Sequence, residues 1–411
     1  MSAFRSFKYP NFKLFFYGQS ISLLGTWVQK TAVMWLVYRI TGSAMLLGIV
    51  AFVSLIPSLI LSPYTGSFVD RHNKFSVMKQ TQLAAMIQAG ALAAIVHFQY
   101  YNISIIIFLS LLQGVINAFD VTCRQSLMIE LVDDKADLPN AIALNSTMTN
   151  LARLIGPALA GVILSTFGED FCFMSNFASY SAILVCLYKM KLDVNITGRP
   201  ENNIWVELKK GLDYITTEKE ILGLLMLCAC SSLFAIPFTT LMPVFAKDVF
   251  KGTSGTFSLF ESAVGLGSLC SAVFMARLND VDKLIRLVIG ASILFAIGLL
   301  TVAVAPTQHF AIVGMVIAGA GMMIQVSGIN MYIQTHAIPT MRARAISYYI
   351  TAYLGVSPLG SLLIGWFAEY MSTRYVVALE GVLCLLAVGG YCLYRWQMQQ
   401  KDDVVKGLGV M

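Results

Sequence analysis

The chain has 411 residues, of which 57% are hydrophobic and 12% charged, and its mean hydropathy is +0.73. Because soluble domains are about 25% charged, this composition excludes an ordinary soluble protein and indicates a chain that crosses a membrane several times. The net charge of +6 resides in Lys and Arg near the ends of apolar runs, which excludes a continuous nucleic-acid-binding surface.

Twelve apolar runs are long enough to cross a bilayer, since a hydrocarbon core of about 30 Å needs about 20 helical residues. In chain order these predicted spans 1 to 12 are residues 12–38, 44–68, 75–97, 103–122, 139–166, 171–190, 220–241, 256–278, 282–305, 309–333, 344–369 and 375–397. The first run is too long for a cleaved signal peptide, so we expect it to be retained as span 1.

The connection between spans 6 and 7, residues 191–219, is longer than the others. Its apolar residues recur every three or four positions, at Trp205, Leu208, Leu212 and Ile215. This spacing predicts an amphipathic helix on the inner membrane surface. The connection divides the chain into two six-helix halves, residues 1–190 and 220–411.

The distribution of Lys and Arg predicts the orientation of the chain. With both termini cytoplasmic, inner segments hold 22 of the 28 basic residues and outer segments hold four. Because basic residues concentrate on the cytoplasmic side, this imbalance predicts a multi-pass inner-membrane protein with both termini in the cytoplasm.

The two halves resemble each other in sequence. Gly156-Pro157 in span 5 corresponds to Ser357-Pro358 in span 11, and the loop at 66–74 has a degraded counterpart at 276–283. Two duplicated six-helix halves are the repeat pattern of alternating-access transporters, so we predict two pseudo-symmetric six-helix bundles.

The loop between spans 2 and 3 reads Gly66-x-x-x-Asp70-Arg71-x-Asn73-Lys74. It resembles the signature of the major facilitator superfamily, with Asn73 where a second glycine is usual. Because Asn tolerates the left-handed backbone of such a glycine, we expect the loop to keep its conformation. We also expect Gly66 to allow a close approach of helix 2 to a neighbour.

Further motifs resemble one exporter branch of the superfamily, the transmembrane secretion effector-like proteins that include the enterobactin exporter. They are Gly25-Thr-Trp27-Val-Gln29, Asn117-Ala-Phe-Asp120-x-x-x-Arg124-Gln125-Ser126, Asn150-Leu-Ala-Arg153-x-Ile-Gly156-Pro157 and Gln334-x-x-x-x-Pro339-x-x-Arg342-x-Arg344. The resemblance covers nearly the whole chain and implies the major facilitator fold and export, without naming the cargo.

The resemblance also implies gating residues. Asp70 is expected at the start of span 11, near Arg342 or Arg344, as a cytoplasmic latch that breaks when the inner side opens. Gly156 and Pro157 resemble the proline motif of superfamily antiporters, although position 152 is Ala where that motif has Gly. Close helix packing alone is the alternative interpretation of Gly-Pro.

Two basic residues lie inside predicted spans, where an ionised side chain costs about 2.5–3.5 kcal/mol. Arg153 is about 21 Å along its helix from Pro139 at 1.5 Å per residue, too deep to reach either surface easily. Lys30 lies in the outer half of span 1. Both are candidates for binding an anionic cargo; a permanent ion pair for Arg153 and an interfacial position for Lys30 are the alternatives.

Proton coupling requires a buried carboxylate that is influenced by a nearby cation. Glu261 in span 8 is the first candidate, because spans 5 and 8 meet in the superfamily fold. Asp120 in span 4 is the second, with an ion pair to Arg124 one turn later as the alternative. Glu261 and Glu380 each lie a few residues into their spans from the outer side, so an interfacial position is the alternative for both.

Polar and aromatic side chains on the spans that line the pathway in the superfamily complete the candidate substrate site. The whole candidate set is Gln19, Trp27, Lys30, Gln113, Asn117, Asn145, Arg153, Phe234, Gln325 and Asn330. Polar groups there bind cargo or bridge helices.

These observations predict a secondary active transporter that exports a small amphipathic molecule, a siderophore or a drug-like compound, driven by protons. Import of an anionic metabolite or siderophore and lysolipid flipping are the alternatives. The chain lacks a G-x-x-x-x-G-K-[ST] phosphate loop, a C-x-x-C pair and a catalytic constellation. We therefore expect no enzyme activity, cofactor or metal, and a monomer whose partners are cargo, protons and membrane lipid.

Overall fold

The computed structural model describes residues 5–192, 204–277 and 283–408, and every regular element in these ranges is helical. The first helices are α1 (Pro10–Thr41), α2 (Ala44–Arg71), α3 (Lys74–His97), α4 (Ile103–Leu127), α5 (Leu138–Thr166), α6 (Glu169–Lys189), α7 (Ile204–Thr217) and α8 (Lys219–Phe234). The later helices are α9 (Met242–Val244), α10 (Ser254–Ala276), α11 (Leu284–Val304), α12 (Gln308–His336), α13 (Arg342–Ile350), α14 (Ser357–Tyr370) and α15 (Thr373–Leu408).

Ten helical stretches in the described ranges have the length and apolarity to cross a membrane. One of them, Lys219–Val249, contains α8, a 3-10 helical segment, α9 and a π-helical turn. Another, Arg344–Tyr370, contains most of α13, a π-helical turn and α14. Helices α1 and α3 have the length but a lower hydropathy. With them, the described chain has twelve membrane-length stretches, and the predicted all-α membrane protein is confirmed.

The lower hydropathy of α1 and α3 has a structural cause. Four of their five glutamines, Gln19, Gln29, Gln82 and Gln88, are buried rather than exposed to lipid. A polar side chain at membrane depth needs an internal partner, and Gln29 donates to the Gln88 side chain at 2.9 Å. Buried glutamines of these helices therefore find partners inside the bundle, on each other or, for Gln82, on Asp120 of α4.

The structure divides into two compact units. Unit 1 comprises Met1–Glu201 with Met242–Gly265, and unit 2 comprises Asn202–Leu241 with Leu266–Met411. The segment Met242–Gly265 belongs to the second half of the sequence but packs within unit 1. The boundary of the units therefore falls inside α10.

Helix α10 runs antiparallel to α1 within unit 1. Trp35 stacks on Phe257 with ring centroids 6.1 Å apart, and one turn earlier on α1 the Thr31 hydroxyl donates to Glu261 Oε2 at 2.5 Å. Along the contact, the residue number falls by four on α1, from Trp35 to Thr31, while it rises by four on α10, from Phe257 to Glu261. The two helices are therefore antiparallel. The Tyr38 hydroxyl donates to Asp248 further along α1.

The two proline motifs differ in structure. Pro157 lies inside α5, which continues to Thr166. Pro358, by contrast, is in the first turn of α14, and a π-helical turn at Thr351–Gly355 separates α14 from α13. Proline is tolerated in the first turn of a helix because the backbone N–H groups there have no intrahelical partner. The π-helical turn before α14 changes the backbone hydrogen-bond pattern at this point.

The loop between α2 and α3 differs from two expectations. Asn73 has φ −65° and ψ 105° and caps α3, because its side chain accepts from the Ser76 amide at 3.0 Å. The left-handed conformation expected of Asn73 is therefore wrong, since N-cap residues adopt an extended backbone. A Cβ atom at Gly66 would meet nothing within 4 Å, so the close helix approach expected there is absent in this structure.

The predicted amphipathic helix between the halves corresponds to α7, which packs within unit 2. Ile215 is buried, whereas Leu212 is 47% exposed. The side chains of Trp205 and Leu208 lie outside the described residues, as do Arg199 and Pro200 of the same connection.

The N-terminal segment is attached to the start of α5 by an ion-pair cluster. Asp137, buried just before α5, lies 2.7 Å from Lys8 Nζ and 3.3 Å from Arg5 Nε, and the Tyr9 hydroxyl donates to it at 3.0 Å. The hydrogen bond from Lys8 is the main cause that lowers the pKa of Asp137 below its ordinary value; Tyr9 and Arg5 lower the pKa further. These contacts connect residues 5–9 to α5 across about 130 residues of sequence.

We predict that Asp137→Asn weakens this attachment and removes its pH dependence. A carboxylate with a lowered pKa in the folded state stabilises that state fully above its unfolded pKa of about 4, and this contribution is lost as the pH falls through the folded pKa. Thermal unfolding from pH 7 to pH 3 should therefore show a smaller acid loss in the variant than in the wild type. Asp133→Asn, at an exposed carboxylate nearby, should lose as much stability between pH 7 and pH 3 as the wild type does; equal losses in both variants and the wild type would refute the assignment.

Candidate functional site

Unit 1 contains a charged cluster, which we define as Trp27, Lys30, Arg153 and Glu261. Lys30 Nζ lies 4.6 Å from the centre of the Trp27 ring system, and the Arg153 guanidinium carbon lies 5.6 Å from it. Lys30 is exposed, whereas its neighbours Gln29 and Thr31 are buried. Two cations from different helices therefore share one aromatic platform, a favourable arrangement for each cation.

Gly156 brings the two cations together. A Cβ atom at this position would collide with Cβ of Trp27, so only glycine allows α5 to approach α1 this closely. Arg153 lies three residues before Gly156, on the adjacent part of the same helix face. The close helix contact predicted for Gly156 is thus present, and it positions Arg153 beside Trp27.

Glu261 supplies the negative charge of the cluster. Its carboxylate is held by the Thr31 hydroxyl at 2.5 Å and attracts Lys30. Helix α10 reaches this position because small residues line its contact with α5: a Cβ atom at Gly161 would lie 2.6 Å from Ser258 Cβ, and one at Gly265 would lie 3.0 Å from Leu154 Cα. The first-choice carboxylate, Glu261, and the two predicted cations therefore share one site.

Asp120, the second-choice carboxylate, lies elsewhere in unit 1. It is buried, accepts a hydrogen bond from Gln82 Nε2 at 2.5 Å and attracts Arg124. With Gln19, Gln113 and Asn117 it lines a polar cavity of about 40 Å³. A cavity of this size has room for water but not for a cargo molecule.

A glutamine and asparagine network beside this cavity was missed by the sequence analysis. Gln88 accepts from Gln29, which in turn accepts from Asn176 Nδ2 at 2.8 Å, and Ser179 donates to Asn176. The signal was the position of Asn176 and Ser179 three residues apart in span 6, facing the glutamines of spans 1 and 3. The network is internally paired and so supports the bundle rather than presenting groups to a cargo.

The remaining polar candidates make local contacts. Gln113 donates to Asn117 at 3.4 Å on α4, and Asn145 is half-buried on α5. In unit 2, Gln325 is buried and donates to Ser231 at 2.7 Å, whereas Asn330 accepts from Gln334 and Phe234 is half-buried at the end of α8. No contact described within their own units links these residues to the charged cluster.

Glu380 on α15 differs most from its expected interfacial position. It is 2% exposed, and neither carboxyl oxygen has a hydrogen-bond partner among the described residues. Val376 and Val377 beside it are buried, and at Gly381 α15 packs closely on Leu300. A carboxyl group inside this apolar contact is compatible with membrane burial only in its neutral form.

The candidate gating residues lie at helix ends. Arg71 ends α2 and is exposed, and Lys74 begins α3 and is buried; the side chain of Asp70 lies outside the described residues. In unit 2, Arg342 begins α13 and is exposed, and Arg344 is partly buried beside Met341. The cytoplasmic latch remains a prediction.

We predict that Gly156→Ala lowers the free energy of unfolding by about 1–3 kcal/mol, because its methyl group overpacks the contact with Trp27. Thermal unfolding of the purified protein would measure this change. Gly290→Ala is the matched control, since a Cβ atom there meets nothing within 4 Å. A Gly156 variant as stable as the Gly290 variant would show that α1 and α5 are not in close contact.

We also predict that Glu380→Leu raises the free energy of unfolding by about 1–3 kcal/mol, because it removes a buried polar group without a partner. Glu380→Gln, which keeps a neutral polar group, should have little effect. The measurement is thermal unfolding in detergent, with Glu218→Gln at an exposed site of the same unit as control. Strong destabilisation by either Glu380 substitution would mean that the carboxylate has a partner.

Three known proteins resemble this chain over nearly its whole length. The staphyloferrin A transporter of Staphylococcus aureus is 27% identical over 92% of this chain and 94% of its own. Macrolide efflux protein A of Streptococcus pyogenes is 22% identical over 92% of this chain and 95% of its own. A bacterial homologue of the iron transporter ferroportin, solved in an inward-facing state, superposes with a TM-score of 0.71 at 15% identity, over 93% and 98% of the two chains.

The family model described as transmembrane secretion effector matches residues 1–406. This match agrees with the all-helical structure and with the fold that the chain shares with solved transporters. The predicted major facilitator fold is confirmed, and the chain belongs to the transmembrane secretion effector family, as a multi-pass membrane transporter of the major facilitator superfamily.

Proposed function

We propose that this transporter exports a small amphipathic molecule, a siderophore or a drug-like compound, in exchange for protons by alternating access. The charged cluster is the observation that carries the proposal. It places a carboxylate, Glu261, within the electrostatic reach of Lys30 at membrane depth, where ionised groups are retained for transport or coupling.

The cluster suits coupling because its net charge changes with one proton. Glu261 is held by Thr31 and attracted by Lys30, while Arg153 and Lys30 repel each other. When Glu261 takes up a proton, Lys30 loses the carboxylate that attracts it, and the charge balance of the site shifts by one unit. A ligand that is sensitive to this balance would bind differently in the two protonation states.

The names of the relatives support export. One is an efflux protein for macrolides, and another is a transporter of staphyloferrin A. Applied to this chain, the first name favours outward transport, and the two names together favour a compound of siderophore or drug size. The structural resemblance to transporters below 25% identity adds the fold alone.

In the proposed cycle, the halves 1–190 and 220–411 rock about the central site in the bacterial inner membrane, with both termini cytoplasmic. Asp70 and Arg342 or Arg344 form the cytoplasmic latch. The protein acts as a monomer whose partners are cargo, protons and the surrounding lipid. Import of an anionic metabolite is the second candidate, because two cations in one cluster also suit anion uptake.

We predict that Glu261→Gln abolishes the dependence of transport on an imposed pH gradient, because the variant cannot exchange its proton. Ethidium and a macrolide antibiotic are suitable probes in proteoliposomes, assayed with the gradient in each direction. A loss of at least tenfold in gradient-driven flux is expected, with exchange at equal pH largely retained.

Glu218→Gln is the matched control, since it removes an exposed carboxylate just before α8. It should transport as the wild type does. Full gradient-driven flux in the Glu261 variant would refute this residue as the coupling site, and uptake in whole cells together with no accumulation in inverted vesicles would favour import.

A further inference from the structure

The charged cluster has an excess of positive charge. Lys30 and Arg153 each carry one positive charge, and Glu261 carries at most one negative charge. Among the described residues these are the charged groups that α1, α5 and α10 bring to the cluster. With Glu261 ionised, the cluster therefore has a net charge of +1.

Neither cation has its full set of partners. Lys30 and Arg153 form no direct ion pair with a described residue, and Nε of Arg153 is buried without a hydrogen-bond partner. Their common contact is the Trp27 ring, which offers a cation–π attraction but no hydrogen-bond acceptor in its plane. An oxygen anion would supply the acceptors that this arrangement lacks.

The missing charge is one unit. A single carboxylate would neutralise the cluster, whereas a phosphate with two negative charges would reverse its sign. The guanidinium of Arg153 presents paired N–H donors that match a carboxylate, and the exposed Lys30 adds a point charge. Trp27 adds a flat apolar surface on which a ring or chain attached to the acid can pack.

We propose that the cargo is an organic acid with a flat or apolar body, whose carboxylate binds Lys30 and Arg153 on the Trp27 ring and competes there with Glu261. This inference rests on the proposed function and names its substrate class. It also gives Glu261 a second role, because the charge of Glu261 sets how many carboxylates the cluster accepts: one when Glu261 is ionised and two when it is neutral.

Four probes of one shape test the inference: 2-naphthoate, 2-naphthamide, 2,6-naphthalenedicarboxylate and 2-naphthyl phosphate. Their binding is measured by calorimetry on the full chain in lipid nanodiscs at pH 7.5. The wild type should bind 2-naphthoate at least tenfold more tightly than the amide or the phosphate. Lys30→Gln and Arg153→Gln should each lower the affinity for 2-naphthoate by at least tenfold without changing the affinity for 2-naphthamide.

Glu261→Gln gives the sharpest result. This substitution should raise the affinity for the dicarboxylate by at least tenfold and the affinity for the monocarboxylate by a smaller factor. Lys247→Gln is the matched control, because Lys247 lies over the Tyr38 ring at 5.2 Å in the same unit, away from the cluster. It should leave every affinity unchanged.

Equal binding of the acid and the amide, or unchanged affinity in the Lys30 and Arg153 variants, would overturn the proposal; tightest binding of the phosphate would replace the carboxylate with a phosphorylated cargo. The outcome is separable from that of the proposed function. Proton-driven efflux of macrolide without acid binding would reject only the cargo class, and acid binding without proton-driven flux of either 2-naphthoate or macrolide would reject only the coupling.

Discussion

The contact between Gly156 and Trp27 is the constraint on which the charged cluster depends. Because position 156 has no side chain, α5 lies directly against α1, and the Arg153 guanidinium reaches the same ring as Lys30. Thr31 on the next turn of α1 then holds Glu261 of α10. One small residue therefore brings together two cations, Lys30 and Arg153, that are more than 100 residues apart in sequence.

The polar residues of unit 1 include a fully paired network and a cluster with incomplete hydrogen bonding. The amides of Gln29, Gln88 and Asn176 are joined in a buried network and strengthen the packing of α1, α3 and α6. The charged cluster, by contrast, has cations whose hydrogen-bonding capacity is incompletely used. Satisfied groups specify a stable bundle, whereas unsatisfied ones retain affinity for a ligand.

Periodicity and composition were sufficient to predict the helices, because length and hydropathy alone decide what crosses a bilayer. They also identified Lys30, Arg153 and Glu261, since charges stand out in apolar runs. They could not predict the burial of Glu380, which depends on how α15 is rotated against α11. Nor could they predict Asn73, where the capping preference of asparagine outweighed its tolerance of a left-handed backbone.

The π-helical turn at Thr351–Gly355 has a geometric consequence for the helices on either side of it. A π turn accommodates one residue more than an α turn, and one residue corresponds to a rotation of about 100°. The side chains of α14 are therefore turned by that angle relative to an uninterrupted continuation of α13. Helix α5 has no such phase change around Pro157, so equivalent prolines leave the two copies of this helix showing different sides to their neighbours.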